Sequence, residues 1–241
     1  MRIFLILCLL LFVNPVYSAD YGLKIRNTNS ELQIDGEYVN YVYNGQSGSL
    51  DIKGLSTVNL TTPSKYPPIA LIQPTDTASQ GCGVFDYSYT SPNYTAIRFF
   101  GGDNVGTNNC SFNYRIYTTT GEASTADYGL RVRKADGRVI YDTEKNPFKI
   151  LEVGTATVDS TYTHASHTSP YYIFSPWLSR VYGIPGGGQG PVIRQMCGLA
   201  KQSTTSVKPV WVTVGQIGIT NMQFSDQQGT TMTLIICDPN E

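Results

Sequence analysis

Residues 21–52, YGLKIRNTNSELQIDGEYVNYVYNGQSGSLDI, have a counterpart 107 residues further on, at 128–158, YGLRVRKADGRVIYDTEKNPFKILEVGTATV. In both, Tyr-Gly-Leu leads into alternating apolar and basic residues, Leu23 and Ile25 answering Leu130 and Val132, Lys24 and Arg26 answering Arg131 and Arg133. Alternation with period two marks a strand with one covered face. A polar turn follows each time, Asn27-Thr28-Asn29-Ser30 and Ala135-Asp136-Gly137, and a second alternating run ends on Asp35 or Asp142. Each copy therefore predicts a β-hairpin that opens a domain.

A unit that recurs at domain length implies tandem domains rather than a solenoid. Charged residues make up only 15% of the 241, while the chain holds 23 Gly, 13 Pro and 17 Tyr, a balance that favours strands and turns over amphipathic helices. The expected fold is all-β: two tandem β-sandwich domains related by internal duplication, at residues 19–122 and 127–241, with TTTGEASTAD (118–127) as the linker.

The N-terminal stretch MRIFLILCLLLFVNPVYSAD reads as a secretion signal over residues 1–18. Arg2 supplies the basic start, Ile3 to Val13 an apolar run too short to span a bilayer, and Val16-Tyr17-Ser18 the exit. Without it, 16 Lys+Arg face 18 Asp+Glu, and so nearly neutral a surface offers no clustered cations for nucleic acid. The expected location is outside the cytoplasm, periplasmic or extracellular, with no membrane attachment after cleavage.

Export gives the cysteines meaning. Cys82, Cys110, Cys197 and Cys237 remain, an even number suited to an oxidising compartment. Two in each repeat predict bridges Cys82–Cys110 and Cys197–Cys237, each stabilising its domain by about 3 to 4 kcal/mol. No close Cys-x-x-Cys spacing supports zinc.

Further strands are expected at 38–43, 49–52, 69–73, 95–100, 110–117, 147–153, 154–158, 210–214, 218–224 and 231–237. Residues 75–94 and 159–195 read as long polar or turn-rich loops, the second rich in aromatic residues and ending in the glycine run 186–190. In 110–117, Phe112, Tyr114 and Ile116 are expected to share one face.

The opening hairpin together with PPIALIQP (67–74), SFNYRIY (111–117), WVTVGQ (211–216) and MQF (222–224) resembles small tail-associated virion proteins of tailed bacteriophages and prophages. The resemblance covers most of residues 20–237. It implies a β-rich structural or receptor-facing virion component, and it brings no catalytic residues with it.

Chemical signatures are sparse. His164 and His167 stand as H-x-x-H in a Thr/Ser-rich stretch with no nearby Cys or carboxylate to complete a metal set. No nucleophile elbow accompanies them, and the glycine run lacks the Gly-Lys-Ser/Thr ending of a phosphate loop. Carboxylate pairs for glycoside cleavage meet in space rather than in series, so Asp51, Asp86, Asp103, Asp142, Glu144 and Glu152 are candidates only by presence. Asp35 and Asp142 read as turn caps. No catalytic residue, metal or cofactor is assigned.

Aromatic rings carry the functional signal. Flat rings on loops bind sugar faces and protein partners at low entropy cost, which singles out Tyr171, Tyr172 and Trp177. The sequence thus predicts a non-enzymatic exported protein that acts by contact with protein partners or cell-surface glycans. The alternatives are a secreted carbohydrate-binding module or, further off, a secreted hydrolase.

Overall fold

The computed structural model describes residues 24–26, 32–35, 41–76, 79–119, 131–133, 139–142, 149–174, 179–183, 190–220, 225–227 and 230–238. The signal segment 1–18, most of the linker, Glu144, Trp177 and residues 186–189 lie outside them.

Both repeated phrases form antiparallel hairpins. In the first, β1 (Lys24–Arg26) pairs with β2 (Leu32–Asp35), and Lys24 stands opposite Asp35. In the second, β9 (Arg131–Arg133) pairs with β10 (Val139–Asp142), and Arg131 stands opposite Asp142. Both registers set a base against an acid. Asp35 and Asp142 are strand residues, not the turn caps the sequence suggested.

The first half continues through β3 (Val42–Ile52), β4 (Gly54–Ser64), β5 (Ile69–Pro74), β6 (Gly81–Thr90), β7 (Asn93–Gly102) and β8 (Cys110–Thr118). The second continues through β11 (Lys149–Thr157), β12 (Tyr162–Thr163), β13 (Tyr171–Phe174), β14 (Ser179–Gly183), β15 (Gly190–Lys201), β16 (Ser206–Thr220), β17 (Ser225–Gln227) and β18 (Thr231–Asp238). One antiparallel sheet has the order β11-β18-β13-β5-β8-β3. The other runs β12-β16-β15-β6-β7-β4, with β14 on β15 and β17 on β14. The fold is all-β, two facing sheets.

The halves do not keep to separate sheets. The first supplies β3-β8-β5 and β4-β7-β6, the second β11-β18-β13 and β12-β16-β15, the same order strand for strand. They join where β5 meets β13, with Ile72 opposite Tyr172, and where β6 meets β15, with Cys82 opposite Leu199. Edge strands that would otherwise expose unpaired amides are thereby closed against each other.

Alternation places the core. In the first half, Leu60, Cys82, Ile97 and Phe99 of one sheet pack on Ile72, Cys110, Phe112, Tyr114 and Ile116 of the other, with Phe99 centred 5.6 Å from Phe112 and 5.3 Å from Tyr114. In the second half, Leu199 and Val207 pack on Tyr172, Leu234 and Ile236. Two further clusters join the halves: Phe100 with Met196, Ala200, Val210 and Val212, and Leu71 and Tyr117 with Tyr171 and Cys237. Burying side chains of this size contributes about 1.5–3 kcal/mol each.

Several segments differ from the sequence expectation, β4 among them, and three show the physical reason. Residues 81–90 form a strand, β6, where a loop was expected. Its glycines mark close packing rather than turns, for a Cβ on Gly81 would lie 2.6 Å from Val210 and one on Gly83 2.6 Å from Phe100. Strand β3 runs through Asn44-Gly45 as a bulge, not a turn. Gly45 has φ +83°, the Asn44 side chain accepts from the Gln46 amide at 2.9 Å, and the Gln46 side chain bridges to Asn59 O (2.7 Å) and from Thr61 N (3.1 Å). Within 159–195, residues 171–174 are a central strand, because Tyr-Tyr-Ile-Phe offers an apolar side chain to both faces.

A loop from the first half also grips the second. The Asp103 carbonyl accepts Thr213 N at 2.9 Å, and Asn104 O accepts Gln195 Nε2 (2.7 Å) and Thr213 Oγ1 (2.8 Å). Asp103 shapes this loop by accepting Thr107 N, Thr107 Oγ1 and Asn108 Nδ2. Burial alone pushes its carboxyl up, but these hydrogen bonds outweigh burial and hold it at about 2. A folded value below the unfolded one, about 3.9, gives stability that is present above pH 4 and lost as pH falls toward 2. Asp103→Asn should lower stability at pH 7 by about 2 kcal/mol and flatten the acid limb of the stability curve. Urea titrations at pH 7, 4 and 2.5 measure both, and an unchanged acid limb contradicts the assignment.

Candidate functional site

The side chains with most chemical capacity gather where the chain enters β13, around Glu152 of β11. Its Oε1 accepts Tyr162 Oη at 2.6 Å, its Oε2 accepts Ala165 N at 3.1 Å, and His167 Nε2 lies 3.8 Å from Oε2. The Tyr162 hydrogen bond, then the Ala165 amide, hold the Glu152 carboxyl below the usual carboxylate range. The Tyr162 phenol is raised by the same bond, with burial adding to it. Gly154 makes room for this arrangement, since a Cβ there would collide with the Tyr162 ring.

His164 sits one layer deeper, 5% exposed. Its amide donates to Thr205 O at 3.0 Å, its Nδ1 lies 2.6 Å from Ala165 O, and its Nε2 lies 3.0 Å from Tyr172 Oη. A carbonyl only accepts, so Nδ1 carries the proton, and in the neutral ring Nε2 accepts from the Tyr172 hydroxyl. Burial pushes the Tyr172 phenol well up, which keeps that donor protonated. The His164 and His167 rings stack with centres 5.8 Å apart and planes 11° apart.

This network forms the back of a cavity of about 370 Å³ where the halves meet. The end of β5 supplies one wall, Gln73, Pro74 and Thr75. The segment leading into β13 supplies the second, His167 to Pro170 and Tyr172. The β15–β16 turn supplies the third, Lys201, Ser203, Thr204 and Val207. All three walls are tied. Gln73 Nε2 donates to Pro170 O (3.3 Å) and Gln73 Oε1 accepts Asn113 Nδ2 (3.0 Å), while Gln202 N and Ser203 N both donate to Ser206 O and the Ser203 and Ser206 hydroxyls are 2.7 Å apart.

The residues singled out from sequence separate. Tyr172 lines the cavity at its back, with 4% of its surface exposed. Tyr171, 9% exposed, points to the opposite face of β13, beside Leu71, Tyr117 and Cys237, with Arg115 over its ring at 5.7 Å. Neither ring stands on a loop, and Trp177 lies outside the described residues.

The carboxylates scatter as well. Asp51 accepts from Asn109 and Ser111, Asp86 pairs with Arg98, and Asp103 holds its loop. The sequence reading missed Glu152 as a partner for His167 and missed Lys201. The H-x-x-H spacing was the available signal, but Glu152 reaches it only through the β11–β12 turn. The same cluster makes a poor metal site, because His164 already uses both ring nitrogens, and no group of three or more His, Cys, Asp or Glu suited to a metal occurs among the described residues.

The expected disulfides require correction. Cys82, Cys110, Cys197 and Cys237 are all buried free thiols. Cys197 packs with Ala156, Trp211 and Met232, whereas Cys237 belongs to the cluster of Leu71, Tyr117 and Tyr171, so that pair is kept apart by the core. Cys82 and Cys110 do meet, in the first-half core, but as thiols. Burial, then the Cys110 contact, raises the Cys82 thiol well above its ordinary value, and burial pushes Cys197 and Cys237 up to about 12.

No known protein family, no curated protein and no solved structure matches the chain.

Two outcomes test this geometry. Tyr172→Phe leaves His164 Nε2 buried without its donor and should cost about 1–3 kcal/mol of stability by chemical denaturation. An effect within error would mean the contact is not formed. Cys82, Cys110, Cys197 and Cys237 should resist iodoacetamide in the native protein and take up one adduct each in denaturant, as read by peptide mass spectrometry.

Proposed function

We propose that this protein is a non-enzymatic, exported β-sandwich protein that acts by contact, in the manner of the tail-associated virion proteins its strand phrases resemble. The observation that carries this reading is the state of its reactive groups. His164 is held at both nitrogens, Glu152 is committed to Tyr162 and Ala165, and the cysteine thiols are buried with protonated sulfur favoured at Cys82, Cys197 and Cys237. Groups fixed this way are already committed to structural partners, which favours a contact role over acid–base or nucleophilic chemistry at His164, Glu152 and the thiols. The shared strand order supports reading the two halves as copies of one ancestral sandwich.

A second reading, glycan binding, is favoured by one specific feature. The junction cavity is walled by hydroxyls, an amide and a tyrosine ring, the functional groups that match sugar hydroxyls and sugar faces.

The leading reading predicts that the protein, expressed with its whole leader, leaves the cytoplasm and sediments with phage particles on a density gradient. Full-length protein confined to the cytosol and absent from particles would falsify it. A glycan array screened in parallel reads the second: retention of sugars without particle association supports glycan binding in its place.

A further inference from the structure

The junction cavity has a charge character that sugar binding in general does not require. Lys201 stands in its wall, half-buried, with no hydrogen-bonded or ion-paired carboxylate among the described residues. No Asp or Glu lines the cavity among those residues, and the nearest acid in the network, Glu152, is turned away behind His167 and committed to Tyr162 and the Ala165 amide. An ammonium in a concave, acid-free wall is a point charge awaiting an anion.

The rest of the wall says what the anion is attached to. Thr75, Thr168, Ser169 and Thr204 bring four hydroxyls able to donate and accept, beside that of Ser203, which is already bonded to Ser206 and the Thr205 amide, and such a set suits a polyol better than a bare inorganic anion. Pro74, Pro170 and Val207 add apolar surface for C–H groups. About 370 Å³ falls at the lower end of small-molecule sites and is roomier than one phosphate or carbonate needs. The walls are already tied, Gln73 to Pro170, His164 to Thr205 and the turn 202–206 to itself, so little ordering opposes binding.

We propose that this cavity is a binding site for an acidic sugar, a uronate-type ring whose carboxylate pairs with Lys201 and whose hydroxyls meet the Ser and Thr side chains around it. Tyr172 closes the back of the site. The proposal deepens the glycan-binding reading and rests on it.

The test uses the full chain and four probes in isothermal titration: D-glucuronate, methyl β-D-glucoside, a hyaluronan tetrasaccharide and sodium phosphate. Glucuronate should bind at least roughly tenfold tighter than the glucoside, with affinity falling as salt rises. Lys201→Gln should erase that preference. Thr204→Glu, at an exposed rim position, should weaken glucuronate by a similar factor while the melting curve stays that of the parent protein. Binding of the tetrasaccharide but not of free glucuronate still supports the site and places its ligand within a glycan chain. Equal affinity for glucuronate and glucoside overturns the acid specificity but leaves glycan binding standing. No binding of any sugar overturns both, phosphate binding equal to glucuronate overturns the acidic sugar as the ligand, and binding untouched by Lys201→Gln assigns the anion to another place.

Discussion

The fold depends on how two sets of strands avoid leaving edges open. Each half places a trio of strands in each sheet, the second half adding β14 and β17 to one of them, and the third strand of each trio pairs with its counterpart from the other half, β5 with β13 and β6 with β15. Pairing is brief, marked by Ile72 opposite Tyr172 and Cys82 opposite Leu199, so hydrogen bonds alone would join the halves weakly. Apolar packing reinforces them. The cluster around Phe100, Met196 and Val212 lies at one junction and the cluster around Leu71, Tyr117 and Tyr171 at the other. Between these, the Asp103 loop reaches across to β16, and Arg98 from the first half and Arg194 from the second both approach the Phe85 ring, at 5.0 and 5.4 Å.

The cavity follows from the same joint. Because β5 ends where β13 begins and the β15–β16 turn closes over them, three segments remote in sequence converge on one hollow. The network of Glu152, Tyr162, His164 and Tyr172 then fixes the segment entering β13, with Gly154 leaving space for Tyr162. Buried polar groups are stabilised by partners held in place, and the bonds among Glu152, Tyr162, His164 and Tyr172 give the cavity a rigid back.

Much of the fold was legible because strand periodicity is a local signal. Phe112, Tyr114 and Ile116 share a face as their spacing required, and both Tyr-Gly-Leu phrases lead into hairpins. The misreadings share a cause. Gly81 and Gly83 look like turn residues, yet they are small because Val210 and Phe100 press on the backbone, a contact made by residues far along the chain. Tyr171 and Tyr172 look like exposed binding rings in an aromatic loop, yet a strand covered on both faces needs apolar residues at successive positions. The expected Cys197–Cys237 pairing fails likewise, since β15 and β18 carry the two residues into different clusters, whereas Cys82 and Cys110 do share one. The cavity could not be read in sequence, as its walls are set by the meeting of the halves.

The two halves share one core. Differential scanning calorimetry of the chain from residue 19, alongside a Phe100→Ala variant truncated at the joint, tests it directly. A single transition is predicted, with calorimetric and van't Hoff enthalpies equal, and the variant should shift that whole transition down with a loss of about 3–5 kcal/mol. Two resolved transitions, only one of which moves in the variant, would contradict it.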